Sequence, residues 1–411
     1  MPARYGEETT VNALHQLTDK VHQHRAARIY SFDDARRMAK RQLPKLVFDY
    51  YEGGAGSELA LARNRKALDN LLLSPRALVN VDKRDLSTRF LDKDYPLPFG
   101  IAPMGMCNLA HPGTDLALAA QSKQRAMPMG LSTAASTSIE DAAAVAGENL
   151  WFQLYVGQSI ELGLELVERA KTSGCQVLIL TVDVPVVAER LRDRRNGFKA
   201  PMKIGPRQFI DFALHPHWSL STLKAGAPEL ANFVAPKSQG NSSGDSKIQQ
   251  FSREEGRGKL TWEFLKTLRD TWKGKLIIKG ILHPDDAKRA VELGVDAVYV
   301  SNHGGRQLDS APAAITQLRR IREALDADFP LIFDSGVRSG DDIVRALACG
   351  ANFVMIGRPL LFAAASAGSA GIERMIDVLD QQTSSVMAQT GVIGINEISG
   401  ELFVKGRERT L

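Results

Sequence analysis

Short apolar runs alternate with longer, helix-like segments along most of this chain, from residue 99 to residue 358. We identify eight runs as candidate β-strands: residues 99–104, 127–132, 150–155, 177–183, 276–280, 297–302, 331–336 and 353–358. The segments between them are amphipathic, and two of them, 283–294 and 339–350, carry acidic residues near the start and end at glycine. This alternation predicts parallel βα units. Eight such units in succession predict an α/β fold, the closed (β/α)8 TIM barrel.

Two stretches fall outside this alternation. Residues 31–98 contain a helix-like segment, FDDARRMAKRQL, and a glycine-rich turn in LPKLVFDYYEGGAGSE, so we expect an N-terminal helical extension of the barrel. Residues 192–260 form a long insertion between the fourth and fifth strands, and its polar, Gly/Ser-rich part 237–259 predicts a mobile loop. We expect residues 1–30 to be a poorly ordered extension and residues 31–411 to form one barrel domain.

Composition argues against several classes of protein. Hydrophobic residues make up 44% and charged residues 24% of the chain, which is typical of a soluble globular protein. No apolar run approaches the ~18 residues of a membrane-spanning helix, and the sequence shows neither a signal peptide nor a nucleic-acid-binding module. Cys107, Cys175 and Cys349 are odd in number and widely separated, which favours buried thiols over disulfides. We therefore expect a cytoplasmic protein that does not bind nucleic acid.

Polar residues cluster at or just beyond the C-terminal ends of the predicted strands. They are Met104 and Gly105, Ser132, Gln153 and Tyr155, Thr181 and Asp183, Lys279, His303 and Arg306, Asp334 and Gly336, and Gly357 and Arg358. In TIM barrels the loops at this face form the active site, because packed side chains fill the interior below it. The sequence therefore predicts one pocket at this end of the barrel.

The motif SNHGGRQLD, residues 301–309, places a histidine and an arginine around two glycines directly after the sixth strand. A single histidine is more often structural than catalytic. His303 is nevertheless a candidate general base, because Asp183 at the end of the fourth strand would fix its tautomer and raise the basicity of its other ring nitrogen.

Two arginines on the same face suit an anionic substrate. Arg190 and Arg306 would bind a carboxylate through paired N–H donors, although either could instead be a surface cation. Tyr50 and Tyr155 could bond the same carboxylate or a substrate hydroxyl through their phenolic groups.

Lys279 ends an apolar strand, where an unpaired ammonium would be costly. From these residues alone two roles remain open: a Schiff-base nucleophile, or a fixed positive charge beside an electron-accepting cofactor. The loops after the seventh and eighth strands predict a phosphate site formed by Gly336, Val337, Arg338, Gly357 and Arg358. The sequence contains no Rossmann or P-loop motif, and no metal-ligand spacing, so we expect no metal site.

These motifs resemble those of the FMN-dependent L-2-hydroxy acid oxidising enzymes, which include glycolate oxidase, L-lactate dehydrogenase and L-mandelate dehydrogenase. The resemblance extends from about Phe32 to about Phe403, and its marks occur in family order. They are LPKLVFDYYEGGA, IAPMGM, LSTAAS, WFQLYV, LTVDVP, IIKGI, SNHGGRQLD, DSGVRSG and IGRP.

The resemblance implies that FMN lies across the mouth of the barrel. Its phosphate would be held by Gly336, Arg338, Gly357 and Arg358. Its ring and ribityl chain would contact Pro103, Met104, Gly105, Ser132, Gln153, Thr181, Lys279, Ser301 and Asp334. Lys279 would then take the second of its two roles and stabilise the reduced cofactor.

The resemblance also implies the roles of the substrate-binding residues. Arg190, Arg306 and Tyr50 would hold the carboxylate of an L-2-hydroxy acid, and Tyr155 would bond its hydroxyl. His303 would act as the base, with Asp183 stabilising the imidazolium, whether the reaction proceeds by hydride transfer or through a carbanion. The product would be a 2-oxo acid.

Other expectations follow from family comparison. Ala134 stands where glycolate oxidase has a tryptophan, so we expect a substrate larger than glycolate, such as lactate or an aryl or longer-chain acid. DFALHPHWSL and ELANF in the insertion are most similar to bacterial, quinone-linked L-lactate dehydrogenases. The electron acceptor would be a quinone, oxygen or another oxidant, peripheral contact with the inner face of the cytoplasmic membrane is possible, and a homo-oligomer, often a tetramer, is expected.

Two hypotheses from other classes remain at this point. A cofactor-free lyase or isomerase would use Lys279 covalently and bind a sugar phosphate at the last two strands. A flavin-binding protein without catalytic activity would be yellow, and no 2-hydroxy acid would bleach it.

Overall fold

The computed structural model describes residues 19–156, 160–198, 204–226, 229–233 and 260–405. The loop predicted at 237–259 lies outside these residues, as does the first part of the N-terminal extension.

A parallel barrel of eight strands forms the centre of the molecule, which confirms the TIM-barrel prediction. It is preceded by a small antiparallel pair, β1 (Thr88–Phe90) and β2 (Lys93–Tyr95). The barrel strands are β3 (Phe99–Met104), β4 (Met129–Ser132), β5 (Leu150–Leu154), β6 (Val177–Thr181), β7 (Lys275–Ile281), β8 (Ala297–Val300), β9 (Leu331–Phe333) and β10 (Phe353–Ile356). Strand β10 closes the barrel on β3, with Val354 opposite Phe99.

Helices surround the barrel and extend it at the N-terminus. They are α1 (Phe32–Gln42), α2 (Lys45–Glu52), α3 (Leu59–Asp69), α4 (Thr114–Gln124), α5 (Ile139–Ala146), α6 (Ile160–Thr172), α7 (Leu191–Asn196), α8 (Pro206–Leu214), α9 (Pro216–Ala225), α10 (Trp262–Thr271), α11 (Pro284–Glu292), α12 (Ala314–Ala324), α13 (Gly340–Ala348) and α14 (Arg358–Thr390). Helix α1 coincides with the predicted FDDARRMAKRQL segment. The Ser31 hydroxyl caps it by accepting the N–H of Asp34.

Residues 19–30 depart from the expected poorly ordered extension. Residues 19–26 form a helix, and Ala26 and Ile29 are buried against the rest of the protein. A helix this short can pack through few apolar residues. Its mostly polar sequence therefore gave no indication of the contact.

The insertion contains helices that the sequence pattern did not predict. Helix α7 begins directly after Arg190, and α8 and α9 follow it. Trp218 in α9 is buried and donates its indole N–H to the carbonyl of Leu109, 2.8 Å away. This bond fastens α9 beside the loop that follows β3.

Candidate active site

A cavity of about 250 Å³ opens at the C-terminal ends of the barrel strands. Of the predicted site residues, those that line it are Tyr50, Pro103, Met104, Gly105, Ser132, Tyr155, Arg190, Lys279, His303, Arg306, Asp334, Gly336, Arg338, Gly357 and Arg358. The remaining four, Gln153, Thr181, Asp183 and Ser301, lie behind this lining and contact it through hydrogen bonds or strand pairing. The structure thus brings every predicted site residue to one end of the barrel.

The loop after β8 presents the imidazole through a tight turn. His303, Gly304 and Gly305 all have left-handed backbone conformations, with φ of 59°, 63° and 76°. A Cβ on Gly304 would lie 2.7 Å from Nη1 of Arg358, and the positive φ would strain any other residue, so the position favours glycine. The left-handed conformation is unfavourable for a histidine, and such strain is characteristic of functional sites.

His303 lies between a carboxylate and a phenol. Its Nδ1 is 3.0 Å from Oδ1 of Asp183, and its Nε2 is 3.1 Å from the hydroxyl of Tyr155. Because the carboxylate can only accept a hydrogen bond, Nδ1 carries the proton and Nε2 keeps a lone pair. The arrangement is therefore that of an oriented general base.

The pKa shifts of this pair agree with that assignment. Burial alone would raise the pKa of Asp183, but the adjacent His303 and Lys279 outweigh it and the pKa is lowered. Burial lowers the pKa of His303, and the cations Lys279 and Arg190 add to this effect against the opposing influence of Asp183. At neutral pH the carboxylate is charged and the imidazole is neutral.

Gly280 is a site residue that the sequence motifs did not reveal. It has a φ of 102° and lies where the pairing of β7 with β8 shifts register between Lys279 and Ile281. A Cβ at this position would be 2.5 Å from the Cβ of Asp183. The glycine in IIKGI, at the end of a strand, was the available signal, since such glycines mark bulges and close approaches.

Four arginines line the cavity, and in the described part of the chain the guanidiniums of three of them have no carboxylate within 4 Å. These are Arg306, Arg338 and Arg358, whereas Arg190 has Asp193 at 3.8 Å. Burial lowers the pKa of Arg306 and Arg358 to about 9 and that of Arg338 to about 10. Buried guanidiniums that are not neutralised by a carboxylate indicate a site for anionic ligands.

Two of these arginines also connect the N-terminal extension to the barrel. Arg306 Nη1 donates to the carbonyls of Tyr50 and Gly53 at 2.6 and 2.8 Å, and its guanidinium lies 5.0 Å from the centre of the Tyr50 ring. Arg358 donates to the carbonyls of Tyr51, Gly53 and Gly304 at 2.8 to 3.0 Å. The extension thereby supplies one wall of the cavity.

Lys279 belongs to a buried polar network on the floor of the cavity. It is 4% exposed, and its ammonium donates to the hydroxyl of Ser301 at 2.9 Å. Asp334 lies 3.6 Å from the ammonium and accepts the hydroxyl of Ser301 at 2.5 Å.

Buried polar atoms without partners test whether a polar cofactor fits here. Gln153 Nε2 and Thr181 Oγ1 are buried and have no hydrogen-bond partner within the described residues. Leaving such atoms unpaired is costly, so they call for a ligand with acceptors at the barrel mouth. The carbonyl and nitrogen atoms of a flavin ring, with a phosphate for the arginines that lack a carboxylate, match this set of donors.

Several lining residues were absent from the sequence-based prediction. They are Tyr51, Ala102, Val184, Val187, Gly304, Gln307, Ser335, Met355 and Leu361. Ala134 and Val337 also line the cavity, and the sequence had assigned them to the substrate pocket and to the phosphate site. Val184 and Val187 lie in the loop after β6, where their apolar side chains carried no recognisable signal of function.

Comparison with known proteins places these features in a family. A family model described as FMN-dependent dehydrogenase matches residues 39–405. The (S)-mandelate dehydrogenase of Pseudomonas putida is 38% identical over 371 residues, covering 90% of this chain and 93% of that protein. An L-lactate dehydrogenase of Xanthobacter autotrophicus is 37% identical over 387 residues, covering 93% of this chain and 98% of that protein.

A solved structure shows the same architecture. It is the crystal structure of the monotopic membrane protein (S)-mandelate dehydrogenase, with a TM-score of 0.86 and 37% identity. The match covers 92% of this chain and 100% of that chain.

Proposed function

Because the chain belongs to the FMN-dependent dehydrogenase family, we propose that it oxidises an L-2-hydroxy acid larger than glycolate and passes the electrons to a quinone. The protein is an FMN-dependent enzyme that acts on a 2-hydroxy acid, as the sequence motifs predicted. The configuration and size of the substrate, the residue roles and the electron acceptor are our proposal.

One observation carries the assignment of roles. His303, whose Nε2 keeps its lone pair, the half-buried Arg190 and Arg306 all line the same cavity. A 2-hydroxy acid carries its carboxylate and its acidic C–H and O–H groups on adjacent carbons, so a base and a cation site must lie this close together.

The proposed cofactor site uses the remaining lining residues. Bound FMN supplies an isoalloxazine ring that accepts two electrons. Arg338 and the N-terminus of α14, which begins directly after Gly357, would hold the phosphate with Gly336 and Arg358. The ring and ribityl chain would contact Pro103, Met104, Gly105, Ser132, Gln153, Thr181, Lys279, Ser301 and Asp334.

The chain's own groups bind the substrate and move its proton. Arg190, Arg306 and Tyr50 hold the carboxylate, and the Tyr155 hydroxyl orients the hydroxyl of the substrate. Nε2 of His303 accepts a proton from the substrate, and Asp183 stabilises the imidazolium that results. The 2-oxo acid forms when the substrate has lost two electrons and two protons. His303 would take one proton, and the second hydrogen would leave with the electron pair as hydride to the flavin or, in the carbanion route, as the proton of the hydroxyl.

The lining of the cavity supports a substrate with a substantial side chain. Ala134, Val184 and Val187 present small or branched apolar groups to the cavity. Such a wall accommodates apolar groups without requiring a hydrogen bond, which suits lactate or an aryl or longer-chain acid.

Helices α8 and α9 support contact with a membrane surface. They expose Phe209 (67%), Leu214 (72%), Leu220 (67%) and Leu223 (80%), with the basic side chain of Lys224 among them. Apolar side chains interspersed with basic ones suit the interface of an anionic bilayer. No helix within the described ranges has the length and apolar character needed to cross a bilayer.

We place the protein on the inner face of the cytoplasmic membrane, as a symmetric homo-oligomer such as a tetramer. Docking of α8 and α9 would bring the cavity near membrane-dissolved quinone, the acceptor we propose. Sedimentation with vesicles containing anionic lipid tests this: the native protein should co-sediment, and Leu220→Asp/Leu223→Asp should remain in the supernatant. Equal sedimentation of both proteins would refute the role of these helices.

An anaerobic absorbance spectrum tests the enzymatic proposal. The purified protein should show the spectrum of a bound flavin, and one of L-lactate, L-mandelate or a longer L-2-hydroxy acid should bleach it more readily than glycolate does. A soluble quinone should then restore the colour faster than oxygen does, whereas faster return with oxygen would identify an oxidase. A protein that cannot be loaded with FMN would contradict the assignment and favour a lyase that uses Lys279.

A further inference from the structure

A tyrosine lies inside the barrel, directly beneath the floor of the cavity. Tyr299 in β8 is fully buried in the interior cluster that includes Ile179, Ile277 and Phe353. Its hydroxyl donates to Oδ2 of Asp334 at 2.9 Å. A hydroxyl in an otherwise apolar interior is costly unless it is paired, so this bond fixes the orientation of both side chains.

Neutral donors bind both oxygens of Asp334. Besides Tyr299, the hydroxyls of Ser301 and Ser335 donate to its Oδ1 at 2.5 and 2.7 Å. These hydroxyl donors take the positions that a closely bound ammonium would otherwise occupy.

Lys279 consequently pairs only loosely with this carboxylate. Its ammonium is 3.6 Å from Oδ2 of Asp334, beyond hydrogen-bonding distance, and donates to Ser301 instead. It also lies 5.0 Å from the centre of the Tyr299 ring, within range of a favourable cation–π contact. Among the described residues, Ser301 is the one hydrogen-bond acceptor of the ammonium, so two of its three N–H donors remain available for a ligand in the cavity that it lines.

The phenol is suited to remain a donor at any physiological pH. Burial raises the pKa of Tyr299 well above its usual value, and the charge of Asp334 adds to the shift. The hydroxyl thus keeps its proton while Asp334 stays within reach.

We propose that Tyr299 is a positioning residue that keeps Asp334 from pairing closely with Lys279 and so raises the reduction potential of the bound flavin. The inference rests on the proposed function, since it requires Lys279 to face the cofactor. An ammonium that is only partly neutralised stabilises the negative charge that a flavin gains on reduction, and a tight ion pair would stabilise it less.

Removal of the hydroxyl should shift this balance. In Tyr299→Phe the Oδ2 of Asp334 loses its donor, and the ammonium of Lys279 is the nearest group that can replace it. The ion pair should tighten, and the reduced flavin should become less stable.

The test is a reductive titration of the FMN-loaded protein with a chemical reductant, against a dye of known potential. At a fixed ratio of reduced to oxidised dye, the ratio of reduced to oxidised flavin should fall about tenfold in Tyr299→Phe. This change corresponds to a reduction potential that is lower by about 30 mV for two electrons. Tyr95→Phe is the matched control, because it removes a buried hydroxyl from the same interior cluster near Trp151 rather than Asp334. The control should leave the ratio unchanged.

A second variant tests whether the hydroxyl acts through the carboxylate. Asp334→Asn removes the negative charge and should raise the ratio. The double variant Tyr299→Phe/Asp334→Asn should then have the same ratio of reduced to oxidised flavin as Asp334→Asn alone. Such a double-mutant cycle isolates the coupling between the two side chains. The inference would be overturned if folded, flavin-loaded Tyr299→Phe had the native ratio of reduced to oxidised flavin. If Tyr299→Phe does not fold, an unchanged ratio in Asp334→Asn would overturn the inference instead.

Failure of the proposed function would look different. The native protein would then not bind FMN, or no 2-hydroxy acid would bleach it, whereas the reductant titration measures the potential without any substrate.

Discussion

Nδ1 of His303 and Oδ1 of Asp183 meet at 3.0 Å although 120 residues separate them in the sequence. Two different loops of the barrel supply them, and both lie at the C-terminal end where parallel strands converge. In the proposed mechanism, the pair would supply a base whose protonated form is stabilised before the substrate arrives.

Replacement of the base should abolish turnover and leave the cofactor in place. His303→Ala should lower kcat by a factor of about 100 to 10,000, the usual contribution of a general base, while the flavin spectrum persists. Steady-state kinetics with the preferred acid measures this. His24→Ala, at an exposed histidine, is the control and should retain native kcat. Ordinary turnover in His303→Ala would remove the assignment.

The decline of kcat/KM at acidic pH should reflect the lowered pKa of His303. Because the pKa of His303 is lowered, the base stays neutral below its ordinary value of 6.5, and kcat/KM should decline only at lower pH. Asp183 raises that pKa, so Asp183→Asn should move this decline to still lower pH while kcat falls. A decline that moves to higher pH in Asp183→Asn would show that the carboxylate does not stabilise the imidazolium.

Gly280→Ala should impair the site more than its strain alone explains. An L-residue with a left-handed backbone costs roughly 1 to 2 kcal/mol, and the new Cβ would also collide with Asp183. Gly174→Ala is the control, because Gly174 has a φ of 87° but a Cβ added there would approach no other part of the protein within 4 Å. We expect both variants to unfold at lower temperature and only Gly280→Ala to lose most of its kcat. If the two variants had the same kcat, a displacement of Asp183 would have no effect on turnover.

Arg306→Lys should weaken binding of the acid despite keeping the charge. Lysine lacks the planar fork that lets Arg306 contact the Tyr50 and Gly53 carbonyls while it faces a carboxylate. Hydrogen bonds to charged groups contribute about 1.5 to 3 kcal/mol, so kcat/KM should fall roughly 10- to 150-fold. Arg37→Lys, at a side chain that is 68% exposed, should match the native enzyme. Unchanged kcat/KM would exclude Arg306 from the carboxylate site.

Ala134→Trp should exclude large substrates. The indole would occupy the part of the cavity next to Gly105, so kcat/KM for an aryl acid should fall relative to that for glycolate by about 10- to 200-fold. Competition between the two acids measures the ratio directly. If the folded variant kept the native ratio of the two kcat/KM values, the substrate side chain would lie elsewhere in the cavity.

Sequence patterns predicted the barrel because each strand is mostly buried and mostly apolar, with its polar residues near the ends. All eight strands lie within the predicted runs or extend them by one residue at either end, as β7 does. The predicted site residues of the barrel meet because strand order brings their loops to one end, whereas Tyr50 reaches the site from the N-terminal extension.

Local sequence patterns could not predict contacts between distant parts of the chain. Gly280 matters only because Asp183 approaches it, and Tyr299 reads as an ordinary strand residue until Asp334 is placed beside it. Helices α8 and α9 expose apolar side chains, which contradicts the rule that apolar positions face a core. Each case depends on a partner that the local pattern does not contain.

The bond from Arg358 to the carbonyl of Tyr51 joins residues 307 positions apart and has a consequence for biosynthesis. A ribosome adds about 5 to 20 residues per second, so roughly 15 to 60 s separate the emergence of these two residues. During that interval Leu46, Val47 and Phe48 of α2, which are buried in the finished protein, have no completed barrel to cover them. The first wall of the cavity to be synthesised therefore cannot complete its contacts with the barrel until Arg358, which follows the last strand, has been made.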